Sequence, residues 1–166
     1  MKNNVTLCVV ALLLGVSFIP KVSAQDGNLV PSIKLLQSTR FDVERELGKP
    51  YSNGYYVTYE LKTGIAYFDY YPFDRCKSDG KSSPDLNVLE WTVTAISFRP
   101  DEPPELTPRS LDQRRFRQAH ESPGVPDLVS YIDDQEGLAY VFTSDDILIE
   151  IRYFVGTKYN SLKCPK

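Results

Sequence analysis

Three hydrophobic patterns follow one another along this chain: an unbroken apolar run, a short helical spacing, and then aromatic and β-branched runs separated by turn residues. The helical segment is Thr39 to Gly48. Thr39 is placed to cap it, Asp42 stands three residues on, Val43 and Leu47 share one face, and Gly48 followed by Pro50 stops it. So short a helix is not stable alone, and it must dock its Val43 and Leu47 face onto a sheet.

From Pro50 onward the pattern predicts strands. Tyr55 to Leu61 and Ile65 to Tyr71 form a hairpin about the turn Lys62-Thr63-Gly64. A polar stretch, Pro72 to Asn87, precedes a third strand from Val88 to Phe98. There Leu89, Trp91, Val93, Ala95 and Ser97 share a face, but the intervening residues do not alternate cleanly, so both faces are expected to be partly covered. Pro100 to Pro108, with four prolines and three acids, reads as an extended connector. Ser110 to Gln118 reads as a second short helix, capped by Ser110 and Gln113 and anchored by Phe116. Leu128 to Ile132 and Leu138 to Phe142 flank the turn at 133–137, and a last strand runs from Ile147 to Val155.

The two halves resemble each other. Tyr59, Gly64-Ile65-Ala66-Tyr67 and a later strand ending Ile96-Ser97-Phe98 in one correspond to Tyr131, Gly137-Leu138-Ala139-Tyr140 and Ile149-Glu150-Ile151-Arg152-Tyr153 in the other. The expectation is an α+β fold, a short N-terminal helix packed on an antiparallel sheet built from two tyrosine-rich strand meanders, with repeat units at 38–99 and 110–164.

The apolar run changes where this fold is expected to work. Lys2, the run Val5 to Ile19, Pro20 and the small-residue site Val22-Ser23-Ala24 have the order of a cleavable signal peptide over residues 1–24. The run is too short to span a bilayer comfortably. The expected mature chain is 25–166, a single secreted or periplasmic domain with no membrane span. It keeps 17 of the 19 cations against 22 anions, a net charge of -5, which argues against a nucleic-acid partner. Two cysteines remain, Cys76 and Cys164, and in an oxidising compartment they are expected to pair.

The run Ser38-Thr39-Arg40-Phe41-Asp42-Val43-Glu44-Arg45-Glu46-Leu47-Gly48-Lys49-Pro50 resembles the helix of the SmpA/OmlA (BamE-like) envelope proteins. The β-lactamase-inhibitor-like fold is similar in joining short helices to antiparallel strands. The whole mature chain looks like a group of exported bacterial proteins that have this helix, two tyrosine-rich hairpins and a terminal cysteine. These resemblances imply an envelope setting and carry over no activity and no binding residue.

Candidate chemistry is sparse. His120, the sole histidine, lies in a polar stretch without a recognisable nucleophile, and no phosphate loop, dinucleotide fingerprint or serine elbow occurs. Asp133, Asp134, Glu136, Asp145 and Asp146 fall in turns, where aspartate bonds the local backbone. No metal and no cofactor are expected. The candidate binding residues are the exposed members of the tyrosine hairpin, Tyr55, Tyr56, Tyr70 and Tyr71, together with the basic cluster Arg114, Arg115 and Arg117. The function expected is a non-enzymatic module that binds a ligand or another envelope or extracellular protein. An inhibitor of an extracytoplasmic enzyme, or a small hydrolase, is the alternative.

Overall fold

Thr39 and Asp42 start the first described element as a reciprocal pair. In the computed structural model, which describes residues 32–53, 56–77, 85–120 and 127–164, helix α1 runs Arg40–Leu47. The Thr39 N–H donates to Asp42 Oδ2 at 2.9 Å, and the Asp42 N–H reaches back to the Thr39 hydroxyl at 3.4 Å. Two amides that a helix start leaves unpaired are thereby satisfied. Gly48 ends the helix at φ 81, and Val43 is fully buried. Residues 1–24, expected to form a signal peptide, and Tyr55 lie outside the described residues. No helix among the described residues is long and apolar enough to cross a membrane.

Eight strands follow: β1 Ser52–Asn53, β2 Val57–Leu61, β3 Gly64–Tyr70, β4 Val93–Pro100, β5 Arg117–His120, β6 Val129–Asp133, β7 Leu138–Phe142 and β8 Leu148–Tyr153. They make one antiparallel sheet in the order β1-β2-β3-β4-β8-β7-β6-β5. Each half of the chain lays down four neighbouring strands in sequence, and the halves meet where β4 pairs with β8.

Two local expectations are corrected. The third strand starts at Val93 rather than Val88, because Leu89-Glu90-Trp91 turns outward, with Trp91 at φ 63 and exposed. Ser110 to Gln118 is not a helix. Leu106, Leu111 and Phe116 are spaced by five and cannot share a helical face. They lie on an irregular segment with a 3₁₀ turn at Pro108–Ser110 and a second turn in which the Arg115 and Phe116 N–H groups donate to the Asp112 carbonyl, and Arg117–His120 continues as an edge strand. Ser110 bonds Thr107, not Gln113, whose amide reaches back to the Pro108 carbonyl at 2.7 Å.

Residues paired across antiparallel strands share a face, so the register sorts the sheet. On one face, α1 and Ile33 cover Val57, Tyr59, Ala66, Phe68, Val93, Ile96 and Phe98. On the same face of the other half, Leu106, Leu111 and Phe116 cover Leu138, Tyr140, Phe142 and Leu148. Tyr153, paired with both Ile96 and Leu138, joins the two clusters. Each half has a register shift at the same place, between Asp69 and Tyr70 and between Val141 and Phe142.

The register also corrects the sequence alignment of the halves. Phe98 pairs with Ala66, and Tyr153 pairs with Leu138, so Ala66 corresponds to Leu138 and not to Ala139. A shift of one residue turns every side chain to the other face. Ala139 therefore looks away from the core while Ala66 looks into it.

A smaller cluster of Leu36, Tyr71, Leu86 and Val88 lies against the 3₁₀ segment Thr157–Leu162. There the disulfide forms as expected, Cys76 to Cys164, with Cα atoms 5.6 Å apart. The Cys76 N–H donates to the Leu86 carbonyl and the Cys164 N–H to the Asp85 carbonyl, so Asp85 and Leu86 are tied to both cysteines.

Candidate functional site

The face turned away from both apolar clusters holds a cleft of about 650 Å³. Its floor is one row of paired residues that crosses six strands: Tyr67, Ser97, Arg152, Ala139, Ile132 and Arg117. Ser97 and Ala139 leave depth on either side of Arg152, and Tyr67 and Arg117 stand at the ends of the row. Tyr56, Asp69, Ala95, Arg99 and Glu150 are also among the residues that line it. Strand alternation puts Asp69 on the cleft with Tyr67 and Tyr70 on the core with Phe68. The register shift beside them acts on β4: Val93 pairs with Tyr70 on the core face and Ala95 with Asp69 on the cleft, so Val93 does not share a face with Ala95 and Ser97 as the sequence pattern predicts.

Charge in the cleft is largely matched internally. Glu150 is buried beneath two guanidinium groups, with Arg152 Nε at 2.8 Å and Arg99 Nε at 3.4 Å. Burial pushes its carboxyl up, but the hydrogen bonds from Arg152 and Ser97 and the charges of both arginines outweigh burial and hold it below the ordinary glutamate value. The Arg99 guanidinium sits 5.2 Å from the Tyr67 ring centre, a cation–π distance. Arg117 pairs with Asp134. Asp69 differs from these. It is half-buried, burial raises its carboxyl above the ordinary aspartate value, and no described cation opposes that rise.

The structure scatters the residues singled out from the sequence. Tyr56 and Arg117 line the cleft. Tyr71 is corrected from a surface candidate to a core residue: its side chain is buried, and its hydroxyl accepts the Leu86 N–H at 3.2 Å. Tyr70 likewise packs inward, its ring stacked on Phe68 with centroids 6.4 Å apart and its hydroxyl pushed up by burial. The three arginines do not converge. Arg114 is exposed and bonds Asp112 through its backbone, while Arg115 pairs with the buried Asp133. Asp133 Oδ1 also accepts the N–H groups of Gln135 and Glu136, the expected turn chemistry. His120 pairs with Val129 on the sheet face opposite the cleft. No three His, Cys, Asp or Glu residues among those described gather as a metal site.

Tyr67, Asp69, Arg99, Glu150 and Arg152 were missed. The signal was present in the last strand, where Glu150 and Arg152 alternate with Ile149, Ile151 and Tyr153. Charges on alternate positions of a strand mark one face, yet which strands bring their charged faces together is set by the register.

No family model matches the chain, and no curated protein matches it. Among solved structures, the chain is similar to the crystal structure of a DUF4309 family protein (YjgB) from Bacillus subtilis subsp. subtilis str. 168. That match has 16% identity and a TM-score of 0.47, and it covers 72% of this chain and 80% of the other.

Proposed function

We propose that this chain is an exported, non-enzymatic binding module of the cell envelope or extracellular space, and that it holds a small ligand in the cleft on the sheet. The observation that carries this is the cleft itself: about 650 Å³, floored by Ser97 and Ala139 and walled by tyrosines and arginines. That volume suits a small molecule, and aromatic walls with a few placed charges are the usual make-up of such sites. Export is supported by the signal-like segment 1–24, by the resemblance to envelope proteins and by a disulfide compatible with an oxidising compartment. A non-enzymatic role is favoured because Glu150 is tied to two arginines and His120 lies across the sheet. The test is native mass spectrometry of the protein taken from the extracytoplasmic fraction of its own host, beside a Ser97→Trp variant that fills the cleft. A bound mass present in the wild type and absent from the variant supports the reading. Equal retention in both overturns it.

The inhibitor reading keeps one observation in its favour. Leu89 and Trp91 are exposed on one turn, Arg40 lies 6.0 Å from the Trp91 ring, and Phe41 is exposed next to it in the helix. A tryptophan held at φ 63 is a strained setting of the kind found at contact sites. If this turn faces a partner enzyme, Trp91→Ala abolishes capture of that enzyme and leaves the cleft ligand bound.

A further inference from the structure

The cleft is polarised. Asp69 stands at one end with Ala95 directly across from it, and the small alanine leaves room above the carboxylate. Tyr67 shares its face two residues away. Arg99 is four residues beyond Ala95 on the adjacent strand, about 13 Å along the sheet, too far for the two side chains to neutralise each other at strand spacing. The contacts of Arg99 with Glu150 are long, 3.4 Å from both Nε and Nη2. Glu150 is already held more closely by Arg152, and the Arg99 side chain remains 59% exposed. One end of the cleft thus offers a carboxylate with no counter-ion among the described residues, and the other a guanidinium with capacity to spare.

We propose that the ligand of this cleft is a small zwitterion, its ammonium group held by Asp69 and its carboxylate or other anionic group held by Arg99, with its body lying over Tyr67 and Ser97. The inference rests on the cleft being the binding site and adds the chemical class of the ligand. An ammonium at Asp69 supplies the opposite charge that the half-buried carboxylate lacks. An anion at Arg99 gains a charge-assisted, two-point hydrogen bond that the 3.4 Å contacts leave open. A doubly cationic or doubly anionic molecule meets repulsion at one end, so the arrangement discriminates by charge order. The charge centres must span less than the 13 Å of backbone separation, because both side chains reach inward. A peptide of two or three residues, at about 3.5 Å per residue, has the required length.

The experiment is an amide-resolved NMR titration of the mature, disulfide-bonded protein with three probes: tri-alanine as the zwitterion, putrescine as the diamine and succinate as the diacid. Tri-alanine is expected to shift the resonances of Tyr67, Asp69, Ala95 and Ser97 saturably. Asp69→Asn and Arg99→Gln should each weaken it roughly tenfold, and tri-alanine blocked at both ends should not bind. If putrescine alone or succinate alone moves those resonances, the zwitterion class is wrong while the cleft remains the site. Silence from all three also overturns the class, and the Ser97→Trp comparison then decides separately whether the cleft binds anything.

Discussion

Removing the Cys76–Cys164 bond tests the energetics of this fold most directly. The bond closes a loop with a sequence separation of 88. The chain-entropy relation for that length gives about 4.6 kcal/mol of stabilisation at room temperature, all of it from restricting the unfolded chain. The native state offers little strain relief to offset this. The backbone on either side of the bond is already tied by the Cys76–Leu86, Asn87–Leu162 and Cys164–Asp85 hydrogen bonds, so the folded geometry of the Cys76→Ser, Cys164→Ser double variant should persist. Against a typical domain stability of about 5–15 kcal/mol, the loss is large. For a domain of this size it corresponds to a fall in Tm on the order of 15 °C. The assay is urea unfolding of the oxidised wild type and the double variant, read by tyrosine fluorescence and circular dichroism. The slope against urea carries the mechanism. An unbridged unfolded chain exposes more surface, so the variant should show a steeper slope as well as a lower midpoint. A loss below about 1 kcal/mol with an unchanged slope would refute the loop-entropy account and show instead that the segment around Thr157–Leu162 contributes little to the cooperative unit.

Gly137 has φ 71, and a Cβ there would lie 2.0 Å from the Phe154 carbonyl oxygen, so Gly137→Ala should cost well over 1 kcal/mol in urea unfolding; a neutral result would show that the turn relaxes. Thr39→Ala should cost about 1 kcal/mol, because the Asp42 amide loses its acceptor, and no loss would place the helix start elsewhere. Glu150 and Asp133 are both held below their ordinary values, so the stability they contribute is complete above the unfolded carboxylate range and drains away as pH falls below about 4. Glu150→Gln should flatten the acid limb of a Tm-against-pH curve, and an unaltered limb counts against the arginine pairing. Asp69 has the opposite sign. Its raised value means that folding favours the protonated acid, an advantage lost as pH rises through the folded value, so Asp69→Asn should raise Tm at neutral pH and leave it unchanged near pH 3, roughly below the unfolded aspartate value. A lower Tm for this variant at neutral pH would reveal a partner for the carboxylate.

What the sequence determined by itself is local or topological. The capped helix at Arg40–Leu47 could be read because Thr39, Asp42, Val43 and Gly48 act within one or two turns of chain. The hairpin strand Leu138–Phe142 could be read because turn residues bound an apolar run. The cysteine pair followed from the count of cysteines and the compartment expected from residues 1–24. The tertiary structure decided which face each strand presents. Val93 and Ala95 stand two apart in one strand and by alternation would share a face, yet a register shift sends one to the core and the other to the cleft, and no local pattern records that shift. The similar Gly-Ile-Ala-Tyr and Gly-Leu-Ala-Tyr runs were aligned by composition, whereas the register sets them one residue apart and so places Tyr67 on the cleft and Tyr140 in the core. The candidate site stayed out of sight for the same reason. Tyr67, Arg99, Glu150 and Arg152 meet only because β4 pairs with β8, and that contact between distant segments is chosen by the packing of both apolar clusters on a single face.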